Sequence, residues 1–196
     1  MDEVERFNRL ASRREVSWLS VLWPGAMHRA VLRALGPIAG IETVLDVGCG
    51  TGGLLHAIRR RWPEAGTIGV DPAEKALEVG RQRMPDGRFL VGHAEDLPLP
   101  TGSADVAVST FSFHHWRDQA TGLLEVARVL RPRGTFVLLE PSLPPWISKL
   151  LGEHRFATRQ ETELLLAAAG FRVESSRRQL LLCRATVARK EQTQQQ

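Results

Sequence analysis

Apolar residues recur along this chain in two forms, short unbroken runs and longer stripes at helical spacing, and the two alternate. The runs are Val44, Leu45 and Val47, then residues 67–70, 88–91, 106–108 and 136–139. Each is short and bounded by turn residues, as strands buried on both faces of a parallel sheet require. Between them lie helical stripes: Leu54, Leu55 and Ile58, then Pro72 through Arg83, then Leu123, Leu124, Val126, Ala127 and Leu130. Strand, helix and strand in succession predict βαβ units with helices on both faces of the sheet. Farther on, Thr158 with Glu161 three residues later forms a capping box, and Gly170 closes that helix. Residues 171–175 and 180–187 then read as two final strands. The pattern predicts a doubly wound α/β sheet of seven strands.

The start of the chain carries helical spacing without a glycine turn. Val4, Phe7, Leu10, Ala11, Trp18, Leu19 and Leu22 predict one amphipathic helix. Pro24 can open a second through Met27, Ala30, Val31 and Leu35, ended by Gly36 and Pro37. Trp18, Trp23, Met27 and His28 are aromatic, soft and titratable groups that a plain outer helix does not need, so residues 1–40 are expected to form a helical lid or cap, the alternative being two helices that only cover the sheet. The main domain is expected over 41–188, and 189–196 is a polar tail expected to be disordered.

One stretch organises the rest. From Thr43 to Gly53 the sequence reads Thr-Val-Leu-Asp-Val-Gly-Cys-Gly-Thr-Gly-Gly: a strand, a tight turn and a helix start. Glycines let the backbone take positive φ and let a ligand approach without Cβ interference. Two ligands compete for this turn. Gly48, Gly50 and Gly53 satisfy the dinucleotide pattern G-x-G-x-x-G, in which a pyrophosphate rests on the helix N-terminus and a nicotinamide-dependent oxidoreductase follows. Against it stands Asp46, whose carboxylate repels a pyrophosphate and accepts hydrogen bonds from an ammonium. A cationic amino-acid tail fits better. Asp71 ends the next strand, about 20 residues past the turn, where a carboxylate can accept both hydroxyls of a ribose or can cap the helix that follows.

Composition narrows the class. The 196 residues suit one domain with a full core, and 43% hydrophobic with 24% charged residues is ordinary for a globular chain. No apolar run approaches the roughly 18 residues of a membrane span, and the acidic start Met-Asp-Glu-Val-Glu is unlike a signal peptide, so a cytoplasmic location is expected. Cys49 and Cys183 belong to no Cys-x-x-Cys pair and are expected reduced. The formal net charge of +4 comes from scattered arginines; lysine occurs only as Lys75, Lys149 and Lys190. A nucleic-acid partner is therefore not expected, since phosphate binding needs clustered cations.

The segments Val44-Leu-Asp-Val-Gly-Cys-Gly-Thr-Gly52, Gly69-Val-Asp71, Gly92-His-Ala-Glu-Asp-Leu-Pro98, Asp105-Val-Ala-Val-Ser109, His114-His-Trp116 and Glu125-Val-Ala-Arg-Val-Leu-Arg-Pro132 stand in a telling order. Over roughly residues 40–175 the chain resembles the class I S-adenosylmethionine-dependent methyltransferases, in particular the group around the ubiquinone and menaquinone biosynthesis enzymes. The resemblance implies a Rossmann-like sheet with its last strand antiparallel, S-adenosylmethionine as cofactor, and a small-molecule methyl acceptor. It implies a cofactor site at Asp46, Gly48, Cys49, Gly50, Thr51, Gly52, Asp71, Pro72, His93, Ala94, Glu95 and Ser109. The chain departs from the family at His93, where an acidic residue usually meets adenine.

Residues after the fourth strand sit at the ligand-binding edge of such a sheet. Phe111 and Phe113 can stack on a ligand there, and His114 or His115 can accept a proton; the alternative is that one packs under the sheet and the other caps the next helix. A metal site is not expected, because adjacent histidines diverge and no third ligand lies at a recognisable spacing. Ser142-Leu-Pro-Pro-Trp146 imitates an amino-methylating signature but has Leu143 where an acid or amide belongs. RNA or protein methylation, and a non-catalytic cofactor-binding module, stay open as alternatives.

Overall fold

The computed structural model describes residues 5, 18–37, 40–142, 156–179 and 182–192, with side chains from residue 25 onward apart from that of Glu5. A helix α1 (Trp18–Leu35) precedes strand β1 (Thr43–Val47), helix α2 (Gly53–Arg61), strand β2 (Gly66–Asp71), helix α3 (Glu74–Arg83) and strand β3 (Arg88–Val91). Strand β4 (Ala104–Thr110), a 3-10 turn (Phe113–His115), helix α4 (Gln119–Val129) and strand β5 (Leu130–Pro141) follow. Helix α5 (Arg159–Ala168) and strands β6 (Phe171–Gln179) and β7 (Cys183–Lys190) complete the described chain.

The seven strands form one sheet in the order β3-β2-β1-β4-β5-β7-β6. Strands β1 to β5 pair in parallel, while β7 runs antiparallel to both β5 and β6. The expected architecture is thus the observed one. Because strand residues alternate between faces, two cores form. On one face Val44, Val106, Val108 and Leu139 meet Leu54, Leu55, Ile58, Leu77 and Val31 from α1, α2 and α3. On the other Leu45, Ala107, Phe136 and Leu138 meet Leu123, Val126 and Leu166 from α4 and α5. The chain order reverses between β1 and β4, and in sheets of this kind ligands bind in the crevice outside the carboxyl ends of the strands at that point.

Three local expectations need correction. Among the described residues one helix, Trp18–Leu35, runs through Pro24 and so joins the end of the first predicted helix to the second; apart from the helical Glu5, the rest of the first lies outside the described residues. Proline fixes φ at a helical value and forfeits one hydrogen bond, so a helix anchored elsewhere can carry it. Here the anchor is the sheet, against which Ala30, Val31 and Leu35 are buried. Strand β7 reaches Lys190, two residues into the segment read as tail, because Arg189 pairs with Glu174 and Lys190 Nζ donates to the Leu130 carbonyl at 2.7 Å. Helix α4 is capped by Asp118, whose carboxylate accepts from Ala120 N and Thr121 N, and not by a histidine. The capping box of Thr158 and Glu161 on α5 is present as read. Residues 3–4, 6–17, 143–155 and 193–196, which carry the first helical stripe, most of the Ser142 to Trp146 motif and the end of the tail, lie outside the described residues. Among those described, no helix is long and apolar enough to cross a membrane.

Candidate functional site

The glycine turn is shaped by what crowds it. Gly48 has φ of 76°, and a Cβ there would lie 1.9 Å from Ser112 Oγ. Gly52, with φ of 73°, is pressed by the Phe89 ring, 2.7 Å from where a Cβ would stand. Backbone N–H groups of Gly48 and Cys49 both donate to the Val70 carbonyl, which ties the turn to the end of β2.

Two carboxylates flank this turn in different states. Asp46, on β1, is 2% exposed, and its Oδ1 has no hydrogen-bond partner. Burial, then the neighbouring charge of Asp71, pushes its carboxyl up to about 8. An orphaned, buried acceptor of this kind is costly unless something donates to it. Asp71 is held by two backbone donors: Gly50 N to Oδ2 and Ala73 N to Oδ1, each at 2.8 Å. Asp71 is thus not the N-cap of α3, which is Ala73, but it holds that residue's N–H and ties it to the glycine turn. Burial raises its carboxyl, and the two N–H donors and the nearby His93 pull it down. A carboxylate has about four lone-pair positions, so two remain for a ligand diol.

The other predicted residues take varied places. Pro72 is half-buried between Asp71 and α3, and the Thr51 hydroxyl accepts from Arg83 Nη1 at 3.3 Å. Cys49 is a buried thiol, its pKa driven well up by burial and then by Asp46 and Asp71, so it is inert as a nucleophile. In the loop after β3, His93 and Asp96 form an isolated bridge, and Ala94 is 7% exposed within a core. Glu95 Oε1 accepts from Asp118 N at 3.0 Å, which fastens this loop to the start of α4. Ser109 is fully buried and pairs with Leu138 in register, one residue beyond Val108, the partner of Asp46. By alternation its side chain faces away from that of Asp46, so the structure separates these two.

Across the crevice, Phe111 is held at φ of 55°, an unusual conformation for a residue with a side chain, by its N–H bond to the Leu139 carbonyl. Phe113 is buried in the core, and Trp116 Nε1 donates to Ser112 Oγ at 3.1 Å. His114 Nδ1 lies 2.6 Å from Glu140 Oε2, and its ring meets Phe156 edge-on and His115 at 4.0 Å between centroids. Glu140, which closes β5, went unnoticed in the sequence, although a lone acid after Val137, Leu138 and Leu139 marks the carboxyl end of a buried strand. Ser112 was also missed, and no sequence signal would have found its contact with Gly48. His28 of α1 reaches the other side of the turn, its Cε1 3.0 Å from where a Cβ on Gly53 would be, and burial lowers its pKa. Among the described residues no group of three metal-ligating side chains occurs.

Comparison with known proteins finds similar chains. Residues 45–138 match a family described as "Methyltransferase domain". Demethylmenaquinone methyltransferase of Thermotoga maritima is 37% identical over 112 residues, 57% of this chain and 48% of that protein. The chain thus spans about half the length of the curated relatives it matches. A solved chain from the complex between the Haloferax volcanii Trm112 methyltransferase activator and the putative methyltransferase superposes with a TM-score of 0.82 at 21% identity, covering 98% of this chain and 99% of that one. A SAM-dependent methyltransferase from Aquifex aeolicus gives 0.73 at 21% identity, covering 96% and 99%. These two show a shared fold.

Proposed function

We propose, from the match of residues 45–138 to a methyltransferase-domain family, that this protein binds S-adenosylmethionine at the carboxyl ends of β1, β2 and β4 and methylates a small-molecule acceptor. The observation that carries the reading is the orphaned Asp46 Oδ1, buried beside an Asp71 already pinned to the glycine turn. A pyrophosphate would add negative charge next to two acids, whereas an ammonium relieves both.

Asp46 accepts from the amino group of the methionine moiety, and the Gly48 to Gly52 turn lets that moiety lie against the backbone. Asp71 offers its two remaining lone-pair positions to the ribose hydroxyls. His93 and the Ala94 backbone border the adenine, and Glu95 contributes by holding that loop on α4. When bound, the cofactor supplies a methyl group made electrophilic by its sulfonium. The protein's own part is to hold an acceptor in line, an effect worth up to roughly 7–11 kcal/mol of barrier. His114 or His115 takes a proton from an acidic acceptor.

The acceptor we favour is a small, apolar, hydroxylated ring. His114, His115 and Phe156 form an aromatic cluster beside the end of β5, and the relatives named demethylmenaquinone methyltransferases point in the same direction. Calorimetric titration with S-adenosylhomocysteine and with a nicotinamide dinucleotide tests the cofactor. Binding of the dinucleotide instead would replace this reading with the oxidoreductase. Release of S-adenosylhomocysteine from a panel of quinols, phenols, RNA and protein tests the acceptor, and absence of turnover on every member would leave a cofactor-binding module.

A further inference from the structure

The carboxylate at the end of β5 makes two bonds at once. Glu140 Oε1 accepts from the backbone N–H of Phe113 at 3.1 Å, and Oε2 lies 2.6 Å from His114 Nδ1. Both side chains are withdrawn from water, with 8% of His114 and 15% of Glu140 exposed. An ionised carboxylate can only accept, so Nδ1 is the donor in this contact. In an imidazole that is to accept a proton, and so is neutral, the hydrogen then sits on Nδ1 and the lone pair on Nε2.

We propose that Glu140 is a positioning residue that fixes the tautomer of His114, making His114 Nε2 the proton acceptor of the methyl-transfer reaction. The inference rests on the methyltransferase reading given above. An acceptor O–H or acidic C–H loses its proton to Nε2, and the electron pair of that bond forms the new bond to the methyl carbon. The electrons of the broken carbon–sulfur bond leave with sulfur as a neutral thioether, and the imidazolium formed is held against Glu140. Charge balances: a cation and a neutral acceptor become a neutral thioether, a methylated product and one imidazolium.

Other charged groups near the pair fit this role. Arg184 on β7 stands opposite Glu140 in register but turns Nη1 to the Ser176 carbonyl, 3.2 Å away. Cys183, beside it, is kept a thiol by burial and by the charge of Glu140. On the turn itself His115 stacks at 4.0 Å, and from the far side Phe156 presents a ring edge. A purely structural Glu140 would need only its bond to Phe113 N. The substitution Glu140→Gln separates the two roles, because the amide oxygen can keep that bond while the amide nitrogen facing Nδ1 is a donor. It then favours the hydrogen on Nε2, the tautomer that cannot accept a proton there. An acid-to-amide exchange of this type in serine proteases leaves the geometry intact and lowers the rate about 10⁴-fold.

Nitrogen NMR of histidine-labelled protein saturated with S-adenosylhomocysteine tests the proposal, with His115→Gln used to assign the resonances. The expected result is Nδ1–H for His114 in the unaltered protein and a change to Nε2–H in Glu140→Gln, with His115 unmoved. Nε2–H in the unaltered protein would overturn it without any variant having to fold, and so would an unchanged tautomer in a folded Glu140→Gln. Calorimetry on the same samples keeps the premises apart: failure of the unaltered protein to bind S-adenosylhomocysteine defeats the methyltransferase reading and, with it, the assigned role.

Discussion

The two halves of the sheet's carboxyl edge hold their acids in opposite ways. In the β1 to β3 half, Asp46 is buried with an oxygen that has no hydrogen-bond partner among the described residues, and its carboxyl is pushed up to about 8. In the β4 to β5 half, Glu140 is almost as withdrawn yet has a donor for each oxygen. On the proposed reading the first arrangement is finished by a ligand ammonium, and the second orients the imidazole that acts on the acceptor. The halves touch where Gly48 meets Ser112.

That contact is where the comparison breaks most easily. In Gly48→Ala, a Cβ would fall 1.9 Å from Ser112 Oγ at φ of 76°. Overpacking of about 1–3 kcal/mol adds to about 1–2 kcal/mol for the left-handed conformation. Thermal unfolding should shift by that sum, and S-adenosylhomocysteine binding should fall below detection by calorimetry. Adding Ser112→Gly should recover the clash but not the backbone term. A double variant no better than Gly48→Ala alone would show that the halves are not coupled there.

Next in size is Asp71→Ala. It removes the acceptor for Gly50 N and Ala73 N as well as for a ribose, and hydrogen bonds to a charged group are worth about 1.5–3 kcal/mol each. Affinity for S-adenosylhomocysteine should drop roughly ten- to hundred-fold by the same principle. Unchanged affinity in the folded variant would remove Asp71 from the site.

How much of this edge was legible follows the same division. Asp46, the glycines and Asp71 lie within one βαβ unit, where strand, turn and helix start fix one another, so their spacing carries their geometry. The capping box of Thr158 was readable for the same reason: both partners sit three residues apart. Glu140 and His114 are 26 positions apart and meet only because β4 and β5 pair in parallel. No local pattern announces that, and the two histidines alone did not say which would be held. Ser109 shows the limit of a strand reading, since the sequence put it on β4 and only the pairing register shows its side chain on the face opposite that of Asp46. Pro24 misled because the sheet, and not local propensity, carries α1.

The pH dependence of binding sharpens the contrast between the two acids. Free Asp46 keeps a proton up to about 8, far above its ordinary value of 3.8, so between these values the folded ligand-free protein binds that proton and the unfolded chain does not. Stability of the free protein should then fall as pH rises through this window, by at most about 1.4 kcal/mol per unit. An ammonium ligand requires the ionised form and expels the proton, so affinity for S-adenosylhomocysteine should rise up to about tenfold per unit from pH 6 to 8 and level off above. Calorimetry in buffers of different ionisation enthalpy should show about one proton released near pH 7. In Asp46→Asn the slope and the released proton should both vanish. A slope that survives there would assign the proton elsewhere.

The smallest expected effect concerns α1, which joins the halves from outside by packing on β5, β7 and α2. If its described part belongs to a lid, as we propose, its contact with the turn runs through His28, set against Gly53 at the start of α2. Burial lowers the pKa of His28, so the unfolded chain takes up a proton near 6.5 that the folded chain refuses. Stability contributed by the neutral ring is therefore present above that value and lost as pH falls below it. His28→Gln should flatten this acid-side slope at a cost of about 0.5–1 kcal/mol in lost packing. Hydrogen exchange supplies the discriminating measurement: S-adenosylhomocysteine should slow exchange over residues 25–35, and His28→Gln should reduce that protection without changing exchange in β1. Equal protection with and without the ligand would make α1 a cover for the sheet alone, and the incomplete half of the site would then close by some other segment.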